Sequence, residues 1–193
     1  MIIVPVIIAR QLPVPDYYEP LRASLHDVEL FFDAYNFPLD IAPTETLITQ
    51  AIDLTLANPW SQVLQAVQPY TAGGRKVVAL VEGWDVPGNV GWGGNPLAMV
   101  GDYALRLLLT KGIPEAIVDD GVCSGLIAHE VGHVLGFGHD LTKANTIMWT
   151  GLYNFPNTYP SQTMIDFHAG VGAAPMRISS YMEGTPCPQP QGG

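Results

Sequence analysis

Residues 129–140 read His-Glu-Val-Gly-His-Val-Leu-Gly-Phe-Gly-His-Asp, and the spacing of the histidines in this stretch decides how the rest of the chain is read. On a helix, positions four apart stand one turn above each other, so His129 and His133 present their imidazoles on one face. Two neutral imidazoles so placed bind one zinc ion. Glu130 is offset by one residue, about 100° around the helix, off the ligand line but within reach of a water on the metal. Gly136 follows one turn after His133, where a glycine takes the left-handed conformation that ends a helix. The chain then returns His139 as a third ligand. Three protein ligands leave a fourth tetrahedral position for water, the arrangement of a catalytic zinc rather than a structural one. Zinc lowers the pKa of that water to about 7, and Glu130 serves as general base for its attack on a peptide carbonyl, then as acid toward the departing amine.

Working upstream, the spacing predicts a helix from about residue 123 to 136, with Asp119 and Asp120 near its positive N-terminus. Residues 2–9 and 76–81 are dense in β-branched side chains and predict buried strands. Residues 17–35 carry Leu21, Leu25, Val28, Phe31 and Phe32 at helical spacing. Short helices are expected within 44–56 and 61–67, and short strands within 37–41 and 97–100. Residues 84–95 hold four glycines and a proline and predict a loop. Residues 103–109 read as helical, and Ser161 is placed to cap a last helix through Ala169. Beyond Gly136 regular periodicity fades, and the tail from Gly184 has a linker-like composition.

The 193 residues suffice for one domain with a real core, and 48% hydrophobic against 13% charged content marks a folded protein. Eight basic and 18 acidic residues give a net charge of −10, which disfavours phosphate backbones and anionic membranes as partners. No segment approaches the roughly 18–20 apolar residues that span a bilayer. The apolar start lacks a basic leader and a small-residue cleavage site, so it reads as a strand rather than a signal peptide. Cys123 and Cys187 are compatible with a disulfide, two buried thiols or a reactive pair. Asp85, Asp102, Asp119 and Asp120 are carboxylates of the kind calcium uses, but no EF-hand loop surrounds them and solvated side chains are the simpler reading.

The pattern HExxHxxGxxH resembles the metzincin signature, and Asp140 directly after the third histidine resembles the adamalysin branch. The resemblance covers residues 123–149. It implies a Met-turn beneath the metal, with Met148 as an apolar floor that does not ligate, and a role for Asp140 in orienting the loop that carries His139. It implies an edge strand upstream of the zinc helix that binds substrate in extended form; Leu97, Ala98, Met99, Val100 and Gly101 are the expected strand. It also implies a bridge from Cys123 to Cys187. The denser cysteine pattern of adamalysins is missing, and Thr150 stands where some metzincins carry a Tyr.

The expected fold is α/β (α+β): an upper lobe of mixed twisted sheet with helices (residues 1–136) ending in a central zinc helix, then a small irregular lower lobe (137–193), together one catalytic domain. The expected activity is zinc-dependent cleavage of peptide or protein substrates by a monomeric, extracellular or secreted enzyme. The rival expectation is a zinc-loaded structural or binding module without proteolytic activity.

Overall fold

The computed structural model describes residues 1–13, 18–33, 36–84, 91–102, 123–139, 147–148, 181–182 and 185–186. Strand β1 (Ile2–Ala9) is followed by helix α1 (Tyr18–Asp33), strands β2 (Asp40–Ile41) and β3 (Glu45–Ile48), and helix α2 (Trp60–Val67). After a 3-10 turn at Gln68–Gly74 come β4 (Lys76–Val81), β5 (Gly91–Gly94), β6 (Leu97–Gly101) and helix α3 (Cys123–Val134). A small antiparallel ribbon, β7 (Tyr181–Met182) with β8 (Thr185–Pro186), completes the described elements.

Strands β2-β1-β4-β6-β5 form one sheet in that order, with β3 also pairing β1. All its pairings are parallel except β5 with β6. The long apolar runs of β1 and β4 reflect this layout, because strands covered on both faces have no solvent side to make polar. On one face Ile3, Ile7, Val78, Leu80, Ala98 and Val100 pack with α1 and α3. On the other, Val4, Val6, Ile8, Val77, Ala79, Val81, Leu97 and Met99 pack with Val63 and Val67 of α2 and with Trp84.

Pro5 sits inside β1, where a missing N–H would normally cost a ladder bond. The carbonyls of Met1, Ile3 and Ala9 accept from the β2–β3 side, whereas that of Ile8 accepts from Glu82 beyond β4. Odd-numbered residues of β1 therefore turn their polar groups toward β2 and β3. Pairing on that side stops at Ile3↔Ile41 and resumes at Val6↔Glu45. Pro5 falls in the interruption, so its missing donor has no bond to break.

Residues 45–48 form a strand, not a helix: Thr46, Leu47 and Ile48 pair with Ile7, Ile8 and Ala9, and pairing with a buried neighbour outweighs weak local periodicity. Residues 91–94 form a strand inside the stretch read as a loop, folding back on β6 through Asn95 and Pro96, with Gly94 opposite Leu97 and Gly91 opposite Val100. The expected helices at 103–109 and 161–169 lie outside the described residues. So does most of the expected lower lobe.

Helix α3 ends as its sequence predicts. Gly136 has φ of 91°; its N–H donates to the His133 carbonyl, and that of Phe137 donates to the Gly132 carbonyl. These bonds satisfy carbonyls that the helix end would otherwise leave bare. Phe137 is buried and meets Phe37 edge-on at 5.4 Å, which anchors the reversed chain. Replacing Gly136 by Ala should lower stability by about 1–2 kcal/mol, because an L side chain is strained at that φ. Urea unfolding of the zinc-free protein measures it, and an unchanged midpoint would show that the turn does not depend on glycine.

Candidate metal centre

Helix α3 is apolar where it meets the sheet, through Leu126, Ile127, Ala128, Val131 and Val134. His129 and Glu130 interrupt this run and are themselves buried, 6% and 5% exposed. A buried polar group must find a partner or lose its charge. His129 does the first: its Nδ1–H donates to the carbonyl of Ile147 at 2.6 Å. His133 does likewise, with Nδ1–H to the carbonyl of Phe137 at 2.9 Å. A carbonyl only accepts, so both hydrogens belong on Nδ1 and both Nε2 atoms present lone pairs.

Those lone pairs converge with the ring of His139. Its Nε2 lies 3.2 Å from Nε2 of His129 and 3.1 Å from Nε2 of His133. Ligands at about 2.0–2.1 Å from a tetrahedral zinc stand roughly 3.3–3.4 Å apart, so the spacing fits a single zinc ion. Among the described residues this is the one group of three or more His, Cys, Asp or Glu placed to hold a metal. Asp102, one of the carboxylates considered for calcium, is buried and accepts the N–H of Gly83 at 2.9 Å. Asp85, Asp119 and Asp120 lie outside the described residues.

Ile147 and Met148 are fully buried. The first supplies the carbonyl for His129; the second places its sulfur where a side chain on Gly132 would stand. Gly132 lies between the two helical ligands, so its bareness lets Met148 approach the helix closely. Asp140 and Cys187 lie outside the described residues, and Cys123 is the first residue of α3.

Leu97–Gly101 is a strand, as expected, but not an edge. Its five residues are all buried and both sides are taken, by β4 and by β5. The outermost strand is β5, which runs beside α3. The composition of β5, Gly-Trp-Gly-Gly, hid it; a short extended stretch directly upstream of an apolar strand was the available signal.

The sequence matches no protein-family model and no curated protein. Among solved structures the chain is similar to archaemetzincin from Methanopyrus kandleri, at 15% identity over 84% of this chain and 85% of that one, with a TM-score of 0.55. Looser likenesses are to a zinc-dependent peptidase from Methanocorpusculum labreanum (14% identity, 76% and 87% coverage, TM-score 0.42) and to a chain of a chaperone–substrate complex (16%, 79% and 28%, 0.48). The fold is of mixed α/β type, similar to that of archaemetzincin, and the likeness does not single out the adamalysin branch.

Burial pushes the Glu130 carboxyl up from 4.5 to about 8, and pushes the His129 imidazole down from 6.5 to about 3. His139 is shifted down by the same cause. Without a metal, burial therefore favours the neutral forms of both. The signs of the linked stability follow. Glu130 contributes fully below its ordinary pKa, and that contribution is lost as pH rises toward 8. His129 contributes above its ordinary pKa and loses that contribution as pH falls toward 3. Zinc-stripped Glu130→Gln should accordingly gain thermal stability over zinc-stripped wild type as pH rises from 4.5 to about 8. Melting curves across that range test it, and a constant difference would contradict the apolar setting of Glu130.

Proposed function

We propose that this protein is a zinc-dependent endopeptidase of the metzincin type. The observation that carries the reading is the convergence of three imidazole Nε2 atoms on one point, next to a buried glutamate one residue from the first ligand. A zinc ion there supplies Lewis acidity, polarising a peptide carbonyl and bringing the pKa of a water down to about 7. His129, His133 and His139 hold the ion, and the carbonyls of Ile147 and Phe137 keep two of those rings in the ligating tautomer. Glu130 takes the proton from the attacking water and returns it to the departing amine nitrogen. Burial raises this carboxylate's affinity for a proton, while a neighbouring cation acts in the opposite direction. Met148 serves as the apolar floor of a Met-turn.

The substrate strand in this reading is β5 rather than β6. A peptide laid along Gly91–Gly94 adds a strand to the end of the sheet through main-chain bonds. It meets one large side chain there, Trp92, which is 43% exposed.

Wild type and Glu130→Ala, each with zinc content determined, should both hold one zinc, and only wild type should cleave an unstructured protein such as casein. Full activity in Glu130→Ala would remove the assigned base. One zinc in each with no cleavage of any peptide tested would assign the centre to a binding module. His139→Ala should lower zinc affinity by about 10–100-fold or more, read by competition with a chelating dye; unchanged affinity would exclude it as a ligand.

A further inference from the structure

Gly91 and Gly93 both face α3. A Cβ built on Gly91 would stand 2.5 Å from Oε1 of Glu130 and 2.9 Å from its Cδ and Cγ. One built on Gly93 would meet the carbonyl oxygen of Glu130, its Oε2 at 2.8 Å and Cβ of His133 at 2.8 Å. Ordinary contacts between non-bonded heavy atoms lie near 3.5–4.0 Å, so neither position has room for a methyl group. Gly94, in the same strand, would meet only the Trp60 ring at 3.5 and 3.6 Å. Neither Gly91 nor Gly93 is among the positive-φ glycines, so space rather than backbone conformation excludes a side chain at these positions.

We propose that Gly91 and Gly93 are positioning residues for Glu130, and that the inner face of β5 is bare because the carboxylate must lie directly against the strand's main chain. This rests on the reading of Glu130 as the base. A glutamate has three rotatable bonds and loses its freedom only against a wall. Strand backbone tied to β6 along Gly91–Gly94 is a stiff wall, stiffer than a side chain in its place. It confines the carboxylate to the side of α3 that also carries His133, and the group is held in place before substrate arrives. The two glycines differ in what they face. The three atoms nearest a Cβ at Gly91 all belong to the Glu130 side chain, whereas those nearest one at Gly93 include the helix backbone and His133.

That difference gives the test. Gly91→Ala, Glu130→Ala and the double variant are prepared zinc-loaded beside wild type, and melting midpoint, zinc content, kcat and KM are measured. In the wild-type background, Gly91→Ala should lower the midpoint by about 3–10 °C. It should lower kcat about 100-fold with KM little changed, as a slightly misplaced base requires. In the Glu130→Ala background the same substitution should lower the midpoint much less, because the three nearest obstructing atoms are gone. Gly93→Ala should destabilise in both backgrounds, and Gly94→Ala should keep the wild-type midpoint. An equal loss from Gly91→Ala with and without Glu130, or wild-type kcat in Gly91→Ala, overturns the proposal. Should Gly91→Ala fail to fold, a folded double variant supports the contact and an unfolded one overturns it. Thermal coupling with no cleavage by any variant supports the packing and removes the peptidase reading instead.

Discussion

Two main-chain carbonyls, those of Phe137 and Ile147, decide which nitrogen of each helical imidazole is left for a metal. The rest of the centre follows from that constraint. An imidazole on a helix can turn and can carry its hydrogen on either nitrogen; hydrogen bonds at 2.9 and 2.6 Å remove both freedoms. Neither carbonyl belongs to the helix itself. The chain must therefore reverse at once after α3, to bring Phe137 back beneath His133, and must pass under the helix again at Ile147. Gly136 makes the first return. Burial of Met148 against Gly132 holds the second. The same reversal delivers His139, so one turn supplies both a ligand and the anchor of another.

The helix carries polar groups that do not suit its surroundings. Lifting a carboxyl from 4.5 to about 8 corresponds to several kcal/mol of penalty on the ionised form, at about 1.4 kcal/mol per pKa unit. Opposing this are the apolar residues of α3 and Phe137, buried against β1, β4, β6 and α1, each contributing about 1–3 kcal/mol by removal from water. The sheet therefore does more than frame the site. It holds a helix in place whose most useful residues would by themselves push it toward water, a tension expected where function rather than stability selects the residue.

The centre was largely legible in the sequence, and the strand beside it was not. His129, His133 and His139 are spaced by the helix repeat and by a glycine turn, both local rules that need no knowledge of the rest of the fold. The same holds for β1 and β4, whose β-branched runs leave little alternative. β3 and β5 owe their extended form to partners distant in sequence or to a hairpin. Glu45–Ile48 becomes a strand because β1 offers it an edge, and Gly91–Gly94 because β6 does. The metzincin resemblance implies an edge strand at Leu97–Gly101, and β5 pairs with its outer side instead. The composition of β5 misled twice, since glycine lowers strand propensity and its actual cause, contact with Glu130, is a tertiary fact.

A surface formed by side chains can be altered one substitution at a time, and new preferences arise that way. The inner face of β5 offers no such handle, because every amino acid brings the same peptide groups and these two glycine positions admit no other residue without disturbing Glu130. Variation among descendants of this chain is thereby channelled away from the wall that meets Glu130. It falls on Trp92, the exposed residue of that strand. Over evolutionary time the wall against Glu130 would stay fixed while the exposed face drifts.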